Sequence, residues 1–185
     1  MSQRAIIVVD IQNEYFSNGK LPLVGIEKAA VNAAAVIEHA RSTKDLIIHV
    51  RHEFTDPDAP FFNPGTEGAE INSVVEPLKS ETVLLKHYPN SFLETGLKEM
   101  LDKQGIEEVV VIGAMSHMCI DATSRAASDF GYKTTIIHDA CATLDLEFDG
   151  TTVPAAQVHA AMMAALAFAY GTVTTTSELI AGGTR

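Results

Sequence analysis

Three side chains in this 185-residue sequence carry chemistry that hydrophobic packing does not require, and each follows an apolar, β-branched run. Asp10 ends "AIIVVD", Lys86 lies in "TVLLKH", and Cys119 sits in "GAMSHMCIDATSR", just past "EVVVIGA" and just ahead of a helical pattern. An acid, an ammonium and a thiol suffice for nucleophilic catalysis. The sulfur attacks a carbonyl carbon, the carboxylate takes the thiol proton, and the ammonium balances the charge. Taken singly, each has a packing explanation. Asp10 suits a turn, Lys86 a stem lying on apolar surface with its head in water, and Cys119 a small buried filler. An unpartnered carboxylate at the buried end of a strand is strongly disfavoured, however, so Asp10 needs a partner and Lys86 is the candidate.

The elements that would position these residues are legible as short apolar runs alternating with longer helical patterns, the mark of an α/β fold. The runs cover 5–10, 46–52, 82–87, 108–114, 133–139 and 172–176. Their continuous hydrophobicity predicts six parallel strands covered on both faces, and hence a three-layer α/β/α arrangement. Helical patterns fall at 25–43, about 91–104, about 117–130 and 154–170. Ser91 is read as a helix cap, and Gly105, Gly131 and Gly171 as helix ends. The last helix, "VPAAQVHAAMMAALAFAYG", is apolar enough to predict burial against the sheet or a second subunit. Two long irregular stretches, 53–70 and 138–153, are candidates for shaping a site. Ligands of open parallel sheets bind at the carboxyl ends of the strands, which is where Asp10, Lys86 and Cys119 fall.

Composition narrows the function classes. A net charge of −11, from 24 acidic and 13 basic residues, opposes a surface built to neutralise phosphates, so neither nucleic acid nor an anionic membrane is an expected partner. The apolar run near the N-terminus is too short for a signal-peptide core or a membrane span, and Cys119 and Cys141 are expected to be reduced thiols in a cytoplasmic protein. Residues 1–185 are read as one domain, with 46% hydrophobic and 20% charged residues and no linker or repeat.

The motifs "VVDIQNEYF", "LLKHYPNSF" and "VVVIGAMSHMCIDATSRAASDFGY", in that order and across nearly the whole chain, resemble those of the isochorismatase-like cysteine hydrolases, which include nicotinamidases and carbamoylsarcosine amidohydrolases. The resemblance implies a Rossmann-like six-stranded parallel sheet of order 3-2-1-4-5-6. It also implies a Cys119–Asp10–Lys86 triad that hydrolyses a small amide or imide through an acyl-enzyme. It further implies a cis peptide at Ala114–Met115, with the backbone N–H groups of Met115 and Cys119 forming an oxyanion hole. A helix N-terminus and a neighbouring ammonium are expected to favour the Cys119 thiolate. Pocket candidates are Gln12, Phe16, His52, Phe61, Phe62, Tyr88, Phe92, His117 and Met118. Family members of this size assemble as homodimers or homotetramers.

Nicotinamidases resembling this chain carry an Asp-x-His metal motif after the second strand, whereas "HVRHEFTDPDAPFF" stands here. His49 and His52 fall on opposite faces of a strand, so no metal and no cofactor is expected, and nicotinamide is disfavoured as substrate. Two other readings stay open. One is isochorismatase-type vinyl-ether cleavage with Asp10 as the acid, which the presence of Cys119 opposes. The other is a non-catalytic binding module on the same fold.

Overall fold

The structure is a computed structural model that describes residues 3–182. The six apolar runs become β1 (Arg4–Val9), β2 (Leu46–His52), β3 (Thr82–Lys86), β4 (Glu108–Ala114), β5 (Lys133–Ala142) and, last in the chain, β8 (Thr172–Thr174). They pair in parallel in the order β3-β2-β1-β4-β5-β8. Between β5 and β8 lies a small antiparallel hairpin, β6 (Leu146–Phe148) and β7 (Thr151–Val153), inside the stretch expected to be irregular. Asp149 and Gly150 form its two-residue turn, both with positive φ, which is the turn chemistry that matches strand twist. With the hairpin set aside, the sheet order is the expected 3-2-1-4-5-6.

Alternation along β1 divides the core into two halves. Ile7 and Val9 face one side of the sheet, packed with Leu97 and Leu101 of α2 (Leu97–Lys103), Ala127 of α3 (Asp121–Asp129) and Met163 and Leu166 of α4 (Ala155–Ala169). Ile6 and Val8 face the other, against Ala33, Val36 and Ile37 of α1 (Ile26–Thr43) and Leu179 of α5 (Thr176–Ile180). Because both faces are covered, the strands carry apolar residues at nearly every position, as parallel strands must.

Three local expectations change. The second helix starts at Leu97, since Glu94 takes a left-handed φ of 54° that no helix continues. Ser91 therefore caps nothing; its hydroxyl accepts from Thr123 Oγ1 at 2.8 Å, tying the β3–α2 connection to α3. Gly171 has no left-handed φ; a side chain there would stand 2.4 Å from the Thr134 carbonyl oxygen, so close approach selects the glycine. The apolar α4 buries only one face, through Ala155, Val158, Met163 and Leu166, and leaves Phe168 91% exposed.

The carboxyl ends of the central strands are drawn together at the point where strand order reverses. Val9 pairs with Val50 on one side and with Gly113 on the other, and His52 pairs with Lys86. At Gly113 the backbone adopts φ 126°, and a Cβ would lie 1.8 Å from the Val9 carbonyl oxygen. Gly113→Ala is therefore expected to destabilise the fold by more than about 2 kcal/mol, read as a lowered urea midpoint.

Candidate active site

Each of the three reactive side chains reaches the site by a different local device. Asp10 follows β1 directly and turns the chain with φ 51°, a left-handed conformation that aspartate tolerates better than most residues, while its N–H donates to the Val50 carbonyl at 2.9 Å. Lys86 is the last residue of β3, two strands from β1. Strands lie about 4.8 Å apart, so only a long side chain crosses that gap. Cys119 lies in a π-helical turn, Ser116–Ile120, that precedes α3, with the Met115 carbonyl accepting from the N–H groups of Met118 (3.0 Å) and Ile120 (3.2 Å). The Ala114–Met115 peptide bond is cis.

The three heads converge. Lys86 Nζ stands 2.7 Å from Asp10 Oδ2, 3.3 Å from Cys119 Sγ and 3.2 Å from His52 Nδ1. An ammonium has three protons and no acceptor, and it directs two of them at Cys119 Sγ and His52 Nδ1. Since Nδ1 of His52 accepts, its Nε2 carries the ring proton. The Asp10–Lys86 approach is a charge contact outside hydrogen-bond angles, and both Asp10 oxygens lack a directed hydrogen bond among the described residues. Asp10, Lys86, Cys119 and His52 are all buried.

Burial governs the protonation states. It lifts the Asp10 carboxyl above its ordinary value, against the opposing pull of the Lys86 ammonium and the nearby Cys119 thiol. Burial would lower Lys86, but the Asp10 carboxylate and the Cys119 sulfur outweigh it and hold the ammonium above its ordinary value. Burial, reinforced by Asp10, pushes the Cys119 thiol well up despite Lys86. The cation expected to favour a thiolate is present, but burial and Asp10 outweigh it and favour the thiol. Burial, with the neighbouring Lys86, lowers His52 to about 3, so its ring is neutral.

Cys119 opens onto a cavity of about 230 Å³. Tyr15, Leu21, Phe54, Phe61 and Phe62 line it together with Met115 and Met118, His52 lies at its wall, and His87 and Pro89 complete the lining. Of the expected pocket residues, His52, Phe61, Phe62 and Met118 are present. Gln12, Phe16, Tyr88, Phe92 and His117 are not. Gln12 instead holds the backbone: its Oε1 accepts from His52 N–H at 2.8 Å, and its Nε2 donates to the carbonyls of His52 and Ala69. Phe16 packs between two core clusters, Phe92 stacks near Phe130 and Tyr132, and Tyr88 is exposed. His117 Nδ1 pairs with Thr143 Oγ1 at 2.6 Å.

Sequence reasoning missed Tyr15, Leu21, Phe54, His87 and Pro89, and named Met115 for its backbone but not for the cavity wall. His87 had a signal, since it follows Lys86 directly. The others depend on the path of the 53–70 loop. That loop is pinned by Phe54 N–H donating to the Phe62 carbonyl (3.1 Å) and Phe62 N–H donating to the buried Glu14 carboxylate (3.1 Å). Among the described residues no group of three or more His, Cys, Asp or Glu side chains is placed to hold a metal ion. His49 is buried and pairs with Glu81 at 3.1 Å, away from His52.

Gln12→Leu keeps the volume but strips His52 N–H and two carbonyls of their partners in a buried place. An unfolding free energy lower by about 3 kcal/mol in urea titration is the expected outcome.

Residues 4–178 match the isochorismatase domain family. The chain is 50% identical over 176 residues to YddQ, an uncharacterized isochorismatase family protein of Bacillus subtilis, spanning 95% of this chain and 98% of that one. It is similar to a crystal structure described as an isochorismatase hydrolase from Oleispira antarctica, with a TM-score of 0.93 and 54% identity over 97% of this chain and 96% of that one. The maleamate amidohydrolase of Pseudomonas putida is 28% identical over 149 residues, 73% of this chain and 70% of that enzyme. With nearly its whole length matched at such identities, on the sheet order described above, the chain belongs to the isochorismatase family.

Proposed function

We propose that the protein is a hydrolase that cleaves a small amide or imide C–N bond through a thioester on Cys119. The observation that carries this reading is Lys86 Nζ standing 2.7 Å from Asp10 and 3.3 Å from Cys119 where the sulfur meets a cavity. The relation to an amidohydrolase supports the reaction class.

In the reaction, Asp10 takes the Cys119 proton as Sγ forms a bond to the carbonyl carbon. That transfer moves a proton within a buried cluster whose total charge does not change, so no net charge has to be desolvated. The raised proton affinity of Asp10 makes it a better base than an ordinary aspartate. Lys86 stays protonated throughout and holds both anions of the exchange, the carboxylate before and the thiolate after. The backbone N–H groups of Met115 and Cys119 are the oxyanion donors in this scheme, with the π-helical turn presenting them. As the tetrahedral carbon collapses, the C–N bond breaks and the Asp10 proton passes to the departing nitrogen. Water then gives a proton to Asp10 and attacks the thioester, the C–S bond breaks, and that proton returns to sulfur with release of the acid.

The test is ammonia or amine release from a panel of primary amides and cyclic imides, with intact-mass detection of the acyl-enzyme. Cys119→Ala is expected to abolish turnover, and Asp10→Asn to lower kcat by roughly 10³-fold, measured on the folded fraction because the change also leaves Lys86 without its partner. Undiminished amide hydrolysis by Cys119→Ala would end the proposal.

The pH profile has a definite sign. Activity needs Asp10 ionised, and burial raises that group, so kcat/KM falls on acidification through a value above the ordinary 3.8. Lys86 and the thiol are both shifted upward, so the profile stays flat to about pH 9, as steady-state rates across buffers of constant ionic strength would reveal.

We also infer assembly as a homodimer or homotetramer through α4, which carries no charged residue and presents Phe168 and alanines outward. Light scattering is expected to give a dimer or tetramer mass, and Phe168→Glu a smaller species.

A further inference from the structure

We infer that the substrate's group beside the scissile bond is small, apolar and uncharged, and that the site rejects carboxylate-bearing amides. This inference rests on the hydrolase reading above and adds the class of substrate. The cavity floor at Cys119 is walled by Tyr15, Phe54, Phe61 and Phe62 with Leu21, and no lysine or arginine lines it. The rings are locked edge to face: His52 meets Phe54 at 4.7 Å and Phe62 at 5.6 Å, and Tyr15 meets Phe62 at 5.0 Å between centroids. The volume of 230 Å³ lies below the roughly 300 Å³ at which drug-sized pockets begin and above the roughly 150 Å³ that holds a benzene ring. It therefore takes a short branched alkyl chain or one ring.

Each titratable group near this wall is accounted for. Lys86 is the cation beside Cys119, and it is already engaged: it hydrogen-bonds to Cys119 and His52, and its charge is balanced by Asp10 at 2.7 Å. His52, lowered to about 3 by burial and the neighbouring Lys86, adds no positive charge near neutral pH. Tyr15 is held as the neutral phenol by burial and by the negative charge of Asp10 nearby. Its hydroxyl is thus a donor without charge. His87 is exposed at the mouth, and its Nδ1–H donates to the Glu53 carbonyl at 2.7 Å, so it lies outside the aromatic interior. A carboxylate drawn in among these rings would lose its hydration and meet the field of Asp10 with no counter-charge.

The test compares 4-methylpentanamide with succinamate, which carry the same amide and differ in an isopropyl group against a carboxylate of similar size. The native protein is expected to hydrolyse the first with kcat/KM at least about 100-fold higher at pH 7.5. Equal rates, or a preference for succinamate, overturn the inference and leave the hydrolase reading standing. A second arm reads binding without chemistry, as thermal stabilisation and saturation-transfer NMR of the Cys119→Ala protein with each compound. If neither amide is turned over but the variant binds 4-methylpentanamide and not succinamate, the pocket inference stands and the hydrolase reading fails. Binding of succinamate as tightly as of the neutral amide, or binding of neither, overturns the inference.

Discussion

The buried pair of Asp10 and Lys86 is the constraint around which the rest of this protein is organised. Neither charge is tolerable alone in a sheet end that water does not reach, and removing one partner of such a pair costs about 3–5 kcal/mol. The pair spans the width of β2, from the strand on one side to the strand on the other, so three neighbouring strands must finish level with one another. The tight approach of Gly113 to Val9 and the backbone clamp of Gln12 on His52 both serve that alignment. Cys119 is then the third object at this pair, and burial, reinforced by Asp10, favours its proton against the pull of Lys86. In the proposed reaction that proton goes to Asp10, whose proton affinity burial raises.

His52 joins the Asp10–Lys86–Cys119 cluster to the cavity. Its register opposite Lys86 places its Nδ1 against the ammonium, and its ring meets the aromatic wall edge to face. The same side chain therefore accepts from the lysine and lines the cavity. Its suppressed basicity keeps a second positive charge away from Lys86, which the buried site has no anion left to balance.

What was legible in the sequence follows from how local each signal is. Asp10, Lys86 and Cys119 stand out because each interrupts or follows a run of residues that otherwise reads as buried strand, and strand ends in parallel sheets are where ligands bind. The sheet order came with the family resemblance, and the strand bounds came from continuous hydrophobicity. The walls of the cavity were legible only in part: His52, Phe61, Phe62 and Met118 were among the candidates, but Tyr15 and Phe54 come together through a loop whose course is set by Glu14 accepting from Phe62, a contact between residues 48 apart. The false cap at Ser91 had the right residue type, but Glu94 three positions on takes a backbone conformation that composition does not reveal. The hairpin turn at Asp149–Gly150 did carry a readable signal. The ionisation of Cys119 was inverted because burial is a property of the assembled site, whereas the nearby helix and cation were visible in the order of the elements.

The Glu14 carboxylate, itself buried, accepts from Lys20 N–H as well as from Phe62 N–H, so the loop bearing Phe61 and Phe62 is stitched to the segment after β1 at its inner edge. Lifting that loop would leave one oxygen of this buried carboxylate without its donor. The ceiling over the sulfur is therefore masonry more than a hinged door, with its stitching on the Glu14 side of the cavity.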